Sequence, residues 1–369
     1  MVTRVGVVGG GNIATSRHIP AFERFDDATV VGVYDRNEER TRTVAAEYGV
    51  SPAEGFEELC ERADLVSLCT PPTVHAEQTR RAMEHGCHVL SEKPMAMSSE
   101  DARAMIETAA EHDRVLSVVH NFLHMRSIVA ARKLASNGEL GEITRTYMIK
   151  PESDEKRAKE YLSRESMPDG DEGRREWKLY RLFWDEAAHL MYLTQAFVGE
   201  TTLTDAEVRG GPKTTYGTIE ARFEGDLGAE GNVSLILDAP ISEWWFVVMG
   251  TDGIVLIDIY RDLLVRFDRE PDHSAGRVLG VLVSGLSQMG FGAARSGIEF
   301  LTDRYRHGYR IPDAGFSAQV ADVLGAIEGD GELRVPPSVD AGAIGAMEEV
   351  MAETGLLPED PHSAHTRSS

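Results

Sequence analysis

Glu92-Lys93-Pro94 closes a short apolar run beginning at Gly86, which reads as a buried strand halted by a charged pair and a proline. Pro94 has no N–H for a sheet ladder, so the strand must end there. A lysine at the carboxyl end of a strand in an α/β sheet points toward the crevice where such sheets bind ligands. Partial burial there either tunes the amine for proton transfer or leaves it a fixed cation beside a reacting oxygen. The plainer alternative is a surface Glu–Lys pair closing a turn. A second pair, Asp185 and His189, is spaced i, i+4 and shares one helix face. On spacing alone that pair equally describes a solvated helix surface.

The elements that must position Lys93 begin at the first residues. Val2–Val8 is an apolar run followed at once by Gly9-Gly10-Gly11-Asn12-Ile13-Ala14, a G-x-G-x-x-A pattern between a strand and a helix. That is the context a dinucleotide fingerprint requires. Gly9 allows the tight turn, Gly11 lets backbone approach a pyrophosphate, and Ala14 lets the helix pack close. The helix start offers free amides and its positive dipole end to phosphates. A second strand, Thr29–Tyr34, ends at Asp35, at the separation expected of the acid that holds ribose hydroxyls. An acid there disfavours a 2′-phosphate and so favours NAD over NADP. Arg36 beside it works the other way, since a guanidinium accepts a phosphate.

Further along, Asp64–Cys69 is a strand ending in Thr70-Pro71-Pro72, and His75 opens the next helix. Val115–Val119 is a further strand, ending at His120-Asn121. Strands alternating with helices in this way predict a doubly wound parallel sheet. Gly9, Asp35, Thr70, Lys93 and Asn121 each lie at or just past the carboxyl end of a strand. With the fingerprint, Thr70-Pro71-Pro72, His75 and Glu92-Lys93-Pro94 in this order, the chain resembles the glucose–fructose oxidoreductase / inositol dehydrogenase / MocA family. The resemblance implies that Lys93 is catalytic and reaches the nicotinamide. It also implies that Thr70, Pro71, Pro72, His75, Glu92 and Asn121 line the cofactor.

The second domain opens with a helix over 127–136 and a strand over 141–149. The charge-dense stretch between Lys150 and Lys178 reads as a surface loop or solvated helix, with a lid as the alternative. The family carries D-x-G-x-H on a second-domain helix, and Asp185 and His189 match its spacing. Ala187 replaces the central Gly, Tyr192 replaces a later Asp, and Arg181-Leu182-Phe183 replaces the preceding glycine pair. Strands follow over 215–223, 231–237 and 244–249, and Thr251-Asp252-Gly253 turns into one over 254–259. Trp244 and Trp245 point to opposite faces. This part is expected to be α+β with an open, mostly antiparallel sheet, its exposed apolar face a dimerisation or tetramerisation surface. Helices over 315–328 and 340–354 close the fold. Domain limits of 1–123 and 124–355 follow, with a disordered tail over 356–369.

Composition narrows the function classes. A net charge of −23 argues against nucleic acid as a partner. Seven lysines stand against 31 arginines, and an acid-rich, lysine-poor surface resembles proteins of salt-loving organisms. The start is too broken by glycine for a secretory signal. The charge-free 17 residues over 278–294 are too polar for a membrane span and suit a buried or interface-forming helix. Cys60, Cys69 and Cys87 have no metal-ligand spacing, no metal is expected, and a reducing cytoplasm fits them. The fingerprint and the family resemblance, with these exclusions, imply an NAD(P)-dependent oxidoreductase acting on a secondary alcohol of a sugar, cyclitol or sugar derivative. His189 is the first choice as base, Lys93 stabilises the alkoxide, and Asp185 orients substrate or His189. Lys93 and His189 exchange roles in an equally consistent scheme. Two other classes remain: a non-redox enzyme using bound NAD for transient oxidation, and a dinucleotide or sugar sensor without turnover.

Overall fold

The computed structural model describes residues 2–153, 171–210, 217–269 and 314–356, with scattered helical positions between 283 and 298. Most of the charged 150–178 stretch, most of the 278–294 run and the tail from 357 lie outside the described residues. Backbone proximity divides the chain into two units, Met1–His124 with Asp303–Ile344, and Met125–Thr302 with Gly345–Ser369.

The first unit is built on six parallel strands: β1 Thr3–Val8, β2 Ala28–Tyr34, β3 Ser51–Pro52, β4 Leu65–Leu68, β5 His88–Ser91 and β6 Leu116–Val118. Their order is β3-β2-β1-β4-β5-β6. Strand order reverses between β1 and β4, and in such sheets the crevice at the strand ends there is the ligand site. The strands form because both faces are covered. Val5, Val7, Leu65, Val66, Val89 and Leu90 are fully buried, as unbroken apolar runs in a parallel sheet require.

Crossovers run through α1 Ile19–Phe22, preceded by a π turn at Ala14–His18, then α2 Glu38–Tyr48, α3 Phe56–Arg62, α4 His75–Glu84 and α5 Ser99–Glu111. Local signals fix their ends. The Asn37 side chain caps α2 by accepting from the Arg40 amide at 3.1 Å. Gly49 closes that helix in the left-handed region at φ +65°.

A second domain running unbroken to 355 is not what the structure shows. The chain returns to the first unit through α8, Ala314–Glu328. Phe316, Val320, Val323 and Leu324 complete a core shared with Val7, Ile19, Phe22 and Leu90. Burying each such side chain contributes roughly 1.5–3 kcal/mol, which explains why the segment belongs there.

The second unit carries α6 Arg126–Ser136, β7 Ile143–Ser153, α7 Asp171–Val198 and six further strands. These are β8 Thr201–Gly210, β9 Gly217–Gly225, β10 Glu230–Ala239, β11 Trp245–Gly250, β12 Gly253–Asp258 and β13 Leu263–Asp268. The order is β13-β12-β11-β7-β10-β9-β8, antiparallel except for the β7–β10 pair. Strands β8 and β13 are additions to the expected set. A final helix, α9 Ser338–Thr354, contributes its first residues to the first unit and the rest to the second.

Helix α7 lies across β7, β9 and β10. Period-two alternation puts Ile219, Ala221, Phe223, Val233, Leu235, Phe246 and Val248 on the buried face. Trp244 is buried and Trp245 half-exposed, on opposite faces as expected. The outer face splits by chemistry. Across β11–β13 it carries Trp245, Val247, Met249, Ile254, Leu256 and Phe267, and on β9 it carries Glu220, Arg222 and Glu224. Side chains occupy backbone groups on both outermost strands. Gln288 accepts from the Arg266 amide at 2.8 Å and donates to its carbonyl at 3.3 Å on β13. Glu349 accepts from the Leu203 amide of β8 at 2.7 Å.

Candidate functional site

The glycine turn sits where β1 meets the switch in strand order. Gly9 has φ +91°, and a β-carbon there would lie 2.8 Å from the Cys69 carbonyl oxygen. A side chain is therefore barred by both conformation and space. At Gly11 a β-carbon would meet nothing within 4 Å, so the turn faces open space into which backbone amides can present. The adjoining helical turn is braced from α2, where Tyr48 Oη donates to the Thr15 carbonyl at 2.6 Å. Asn12 and Ile13 are exposed at the helix start, and Ala14 is buried against the sheet.

Asp35 lies at the end of β2 and is only 8% exposed. Its Oδ2 accepts from the Gly10 amide at 2.8 Å and its Oδ1 from the Asn37 amide at 2.8 Å. The carboxylate thus ties β2 to the glycine turn. Its cationic neighbour is Arg40, with Nη1 3.3 Å from Oδ2, while Arg36 is exposed. These residues fit a dinucleotide: an open amide-lined turn for the pyrophosphate and an anchored carboxylate for the ribose.

The Lys93 turn follows β5, and the Lys93–Pro94 peptide is cis. Glu92 is held from two sides. Its Oε1 meets His18 Nε2 at 2.9 Å, and its Oε2 accepts from the Lys93 amide at 3.1 Å. His18, in the π turn after the glycine loop, places Nδ1 2.7 Å from Ser67 Oγ on β4. Burial alone would push His18 down, but the Cys69 thiol and the Glu92 carboxylate outweigh it and raise it to about 10. Burial works to raise Glu92, and His18 with Lys93 pulls it below the usual carboxylate range. The two form a buried charged hydrogen bond, with both imidazole nitrogens donating.

Thr70 Oγ1 donates to Gln78 Oε1 at 2.6 Å. His75 is fully buried, with Nε2 2.7 Å from the Thr70 carbonyl and Nδ1 3.2 Å from the Pro94 carbonyl. Burial outweighs these contacts and holds it below the ordinary imidazole value, so it is neutral. His75 therefore supports the Thr70 and Lys93 turns from beneath, its ring closed away from the crevice. Asn121 opens a 3-10 turn over Asn121–His124 at the end of β6 and is half-buried.

In the second unit, Asp185 and His189 are half-buried on consecutive turns of α7. His189 Nδ1 lies 2.8 Å from the hydroxyl of Tyr192, which is fully buried. The ring of Trp244 is 5.9 Å away. Beneath lies Lys150, within 3.0 Å of both Glu152 and Glu186 and 3.2 Å from Tyr260 Oη. Its ammonium also sits 4.7 Å from the Trp244 ring centre. Burial opposes its charge, but Glu186, Tyr260 and Glu152 raise its pKa, so it is a fixed cation. Because Glu186 adjoins Asp185, this pairing anchors the turn that presents Asp185 and His189 to β7.

The first unit brings Gly9, Gly11, Asp35, Thr70, Lys93 and Asn121 to the carboxyl ends of one sheet. The second brings together Asp185 and His189. Sequence reasoning did not single out His18, Arg40 or Lys150. The first had a signal, a His seven residues after Gly11; Arg40 meets Asp35 from the first turn of α2, and Lys150 takes Glu186 from α7 and Tyr260 from the turn after β12.

This geometry defines a dinucleotide-binding α/β domain joined to a second unit with its own polar cluster. Residues 3–120 match the family described as "Oxidoreductase family, NAD-binding Rossmann fold", the glucose–fructose oxidoreductase / inositol dehydrogenase / MocA family. That match spans the six-stranded sheet of the first unit, about a third of the chain. Over 155 residues it is 33% identical to dTDP-3,4-didehydro-2,6-dideoxy-alpha-D-glucose 3-reductase of Streptomyces violaceoruber, covering 41% of this chain and 45% of that one. Over 143 residues it is 34% identical to D-glucoside 3-dehydrogenase of Escherichia coli, covering 38% and 41%. The matched stretches thus span less than half of either relative. The fold resembles UDP-N-acetylglucosamine 3-dehydrogenase of Acidithiobacillus ferrooxidans with a TM-score of 0.70, covering 96% of this chain and 98% of that one. At 19% identity that likeness speaks for the fold. Among the described residues no helix is long and apolar enough to cross a membrane.

Proposed function

We propose that the protein is an NAD(P)-dependent oxidoreductase acting on a ring secondary alcohol of a sugar, cyclitol or sugar derivative. The observation that carries this is Lys93, half-buried on a turn gripped at Glu92, in the same crevice edge as the glycine turn and Asp35. Nicotinamide, when bound, gives or takes the hydride. Gly9, Gly11 and the amides to Ala14 hold the pyrophosphate, and Asp35 holds the ribose. Thr70, Pro71, Pro72 and Asn121 line the crevice. His189 takes the hydroxyl proton through Nε2 when Nδ1–H donates to Tyr192, and Asp185 orients the same alcohol. Lys93 stabilises the oxygen as it gains charge. The names of all three relatives above refer to position 3 of a hexose, which makes that hydroxyl the first to test. Anchored Asp35 favours NAD, and Arg36 with Arg40 oppose it.

The test is a panel of glucose, methyl glucoside, glucose 6-phosphate, UDP-N-acetylglucosamine and myo-inositol, with NAD and NADP, at low and high KCl. Net NADH formation from one of them is expected, and faster than NADPH formation. Turnover of none would overturn the proposal, and consumption without net NADH would point to transient oxidation instead. The apolar outer face of β11–β13 supports a homodimer formed through the sheet. Three buried, free cysteines suit a reducing cytoplasm.

A further inference from the structure

Asp340, in the first turn of α9, is fully buried and lies 245 residues from the turn it contacts. Its Oδ2 accepts from the Met95 amide at 2.7 Å. Its Oδ1 lies 3.0 Å from Nε2 of His120, also fully buried. The His120 amide in turn donates to Gln319 Oε1 of α8 at 2.9 Å, and Gln319 Nε2 donates to the Val118 carbonyl. One carboxylate therefore ties together the chain leaving β5 and the chain leaving β6, from a segment that returns late in the sequence.

Lys93 lies between two gripped residues. Upstream, Glu92 is fixed by His18; downstream, past Pro94, the Met95 amide is fixed by Asp340. A backbone segment held at one end only is free to pivot about it, and the tip of a lysine amplifies any pivot through four methylenes. An amide bonded to a carboxylate is held more stiffly than one bonded to a neutral acceptor. We propose that Asp340 is a positioning residue for Lys93, acting through the Met95 amide and kept in register by His120. This rests on Lys93 being the group that works on the reacting oxygen. Displacement of such a group by about 1 Å can cost roughly a hundredfold in rate.

Asp340→Ala removes both contacts. Asp340→Asn restores them, its amide oxygen accepting from Met95 and its NH2 donating to the other tautomer of His120. With reductively 13C-methylated protein, the Lys93 signal is the one lost in Lys93→Met, and it reports the amine's surroundings without turnover. In Asp340→Ala that signal should move and kcat on the sugar panel should fall about ten- to a hundredfold. NADH affinity, read by fluorescence, and KM should stay within about twofold, the mark of a group acting on the reacting oxygen alone. Asp340→Asn should recover most of both. A Lys93 signal unmoved in Asp340→Ala, or a lowered unfolding temperature with kcat intact, would overturn the proposal. If Asp340→Ala does not fold, Asp340→Ser carries the same comparison. Should the wild type oxidise no sugar, the functional reading fails, and the Lys93 signal still decides whether Asp340 positions it.

Discussion

At the scale of single residues, Lys93 is half-buried beside a carboxylate already committed to His18, and the glycine turn carries the phosphate-binding amides. Lys93→Met should therefore leave NADH affinity nearly unchanged while turnover falls by about two orders of magnitude or more. Fluorescence titration beside steady-state kinetics separates the two, and near-normal turnover would sink the assignment. Tyr192 offers a subtler test. Its hydroxyl meets His189 at 2.8 Å where relatives were expected to carry an acid. A neutral phenol orients the ring without adding charge beside it. Tyr192→Phe keeps the buried ring, so the unfolding temperature should stay within about 2–4 °C, the shift of one lost hydrogen bond or less in a unit of this size. Turnover should drop about tenfold as His189 loses its orienter. Unchanged kinetics would reduce Tyr192 to a space-filler.

Between elements, the His18–Glu92 bond joins the helical turn after β1 to the strand end that bears Lys93. His18 is raised from 6.5 to about 10. Its contribution to stability is therefore complete below about pH 6.5 and is lost as pH rises through about 10. The gap in unfolding temperature between wild type and His18→Gln should narrow steadily from pH 7 to pH 10. A constant gap, followed by calorimetry, would show that His18 is not charged in the fold. Elements also explain what could be anticipated. The strands and helices to residue 120 follow one another in chain order, so local periodicity, the glycine turn and Pro94 sufficed to place Gly9, Asp35, Thr70 and Lys93. Helix α8 was anticipated as a helix, but nothing in its own residues tells which core its Phe316 and Val320 will enter. Strand β13, with Arg266 and Asp268 amid its apolar residues, shows too weak an alternation to stand out. The Asp35–Arg40 and Lys150–Glu186 pairings depend on packing, which one-dimensional spacing does not contain.

For the whole molecule, charge and the outer sheet face set the expectations. With a net charge of −23, many arginines already sit in surface pairs, such as Arg80 with Glu77 and Glu84. Each such pair is worth little, about 0–1 kcal/mol, so screening them costs less than screening the surplus of carboxylates gains. The unfolding temperature should rise in molar KCl; a flat or falling curve would remove the high-salt interpretation and leave the enzyme one untouched. If the apolar face of β11–β13 joins two copies, Val247→Asp should convert a dimer to a monomer in light scattering. A wild type that is already monomeric, or a mutant that stays dimeric, would exclude this face.

The two side chains laid on the outermost strands have a consequence for how this protein misbehaves. Gln288 satisfies both backbone groups of Arg266, and Glu349 adds a negative charge at Leu203. A stray extended segment, from a neighbour or from a nascent chain, finds those positions already hydrogen-bonded and pairs less readily along these edges. Crowding this protein should therefore yield reversible association through flat surfaces rather than fibrils, and replacing Gln288 is the change most apt to open a path to them.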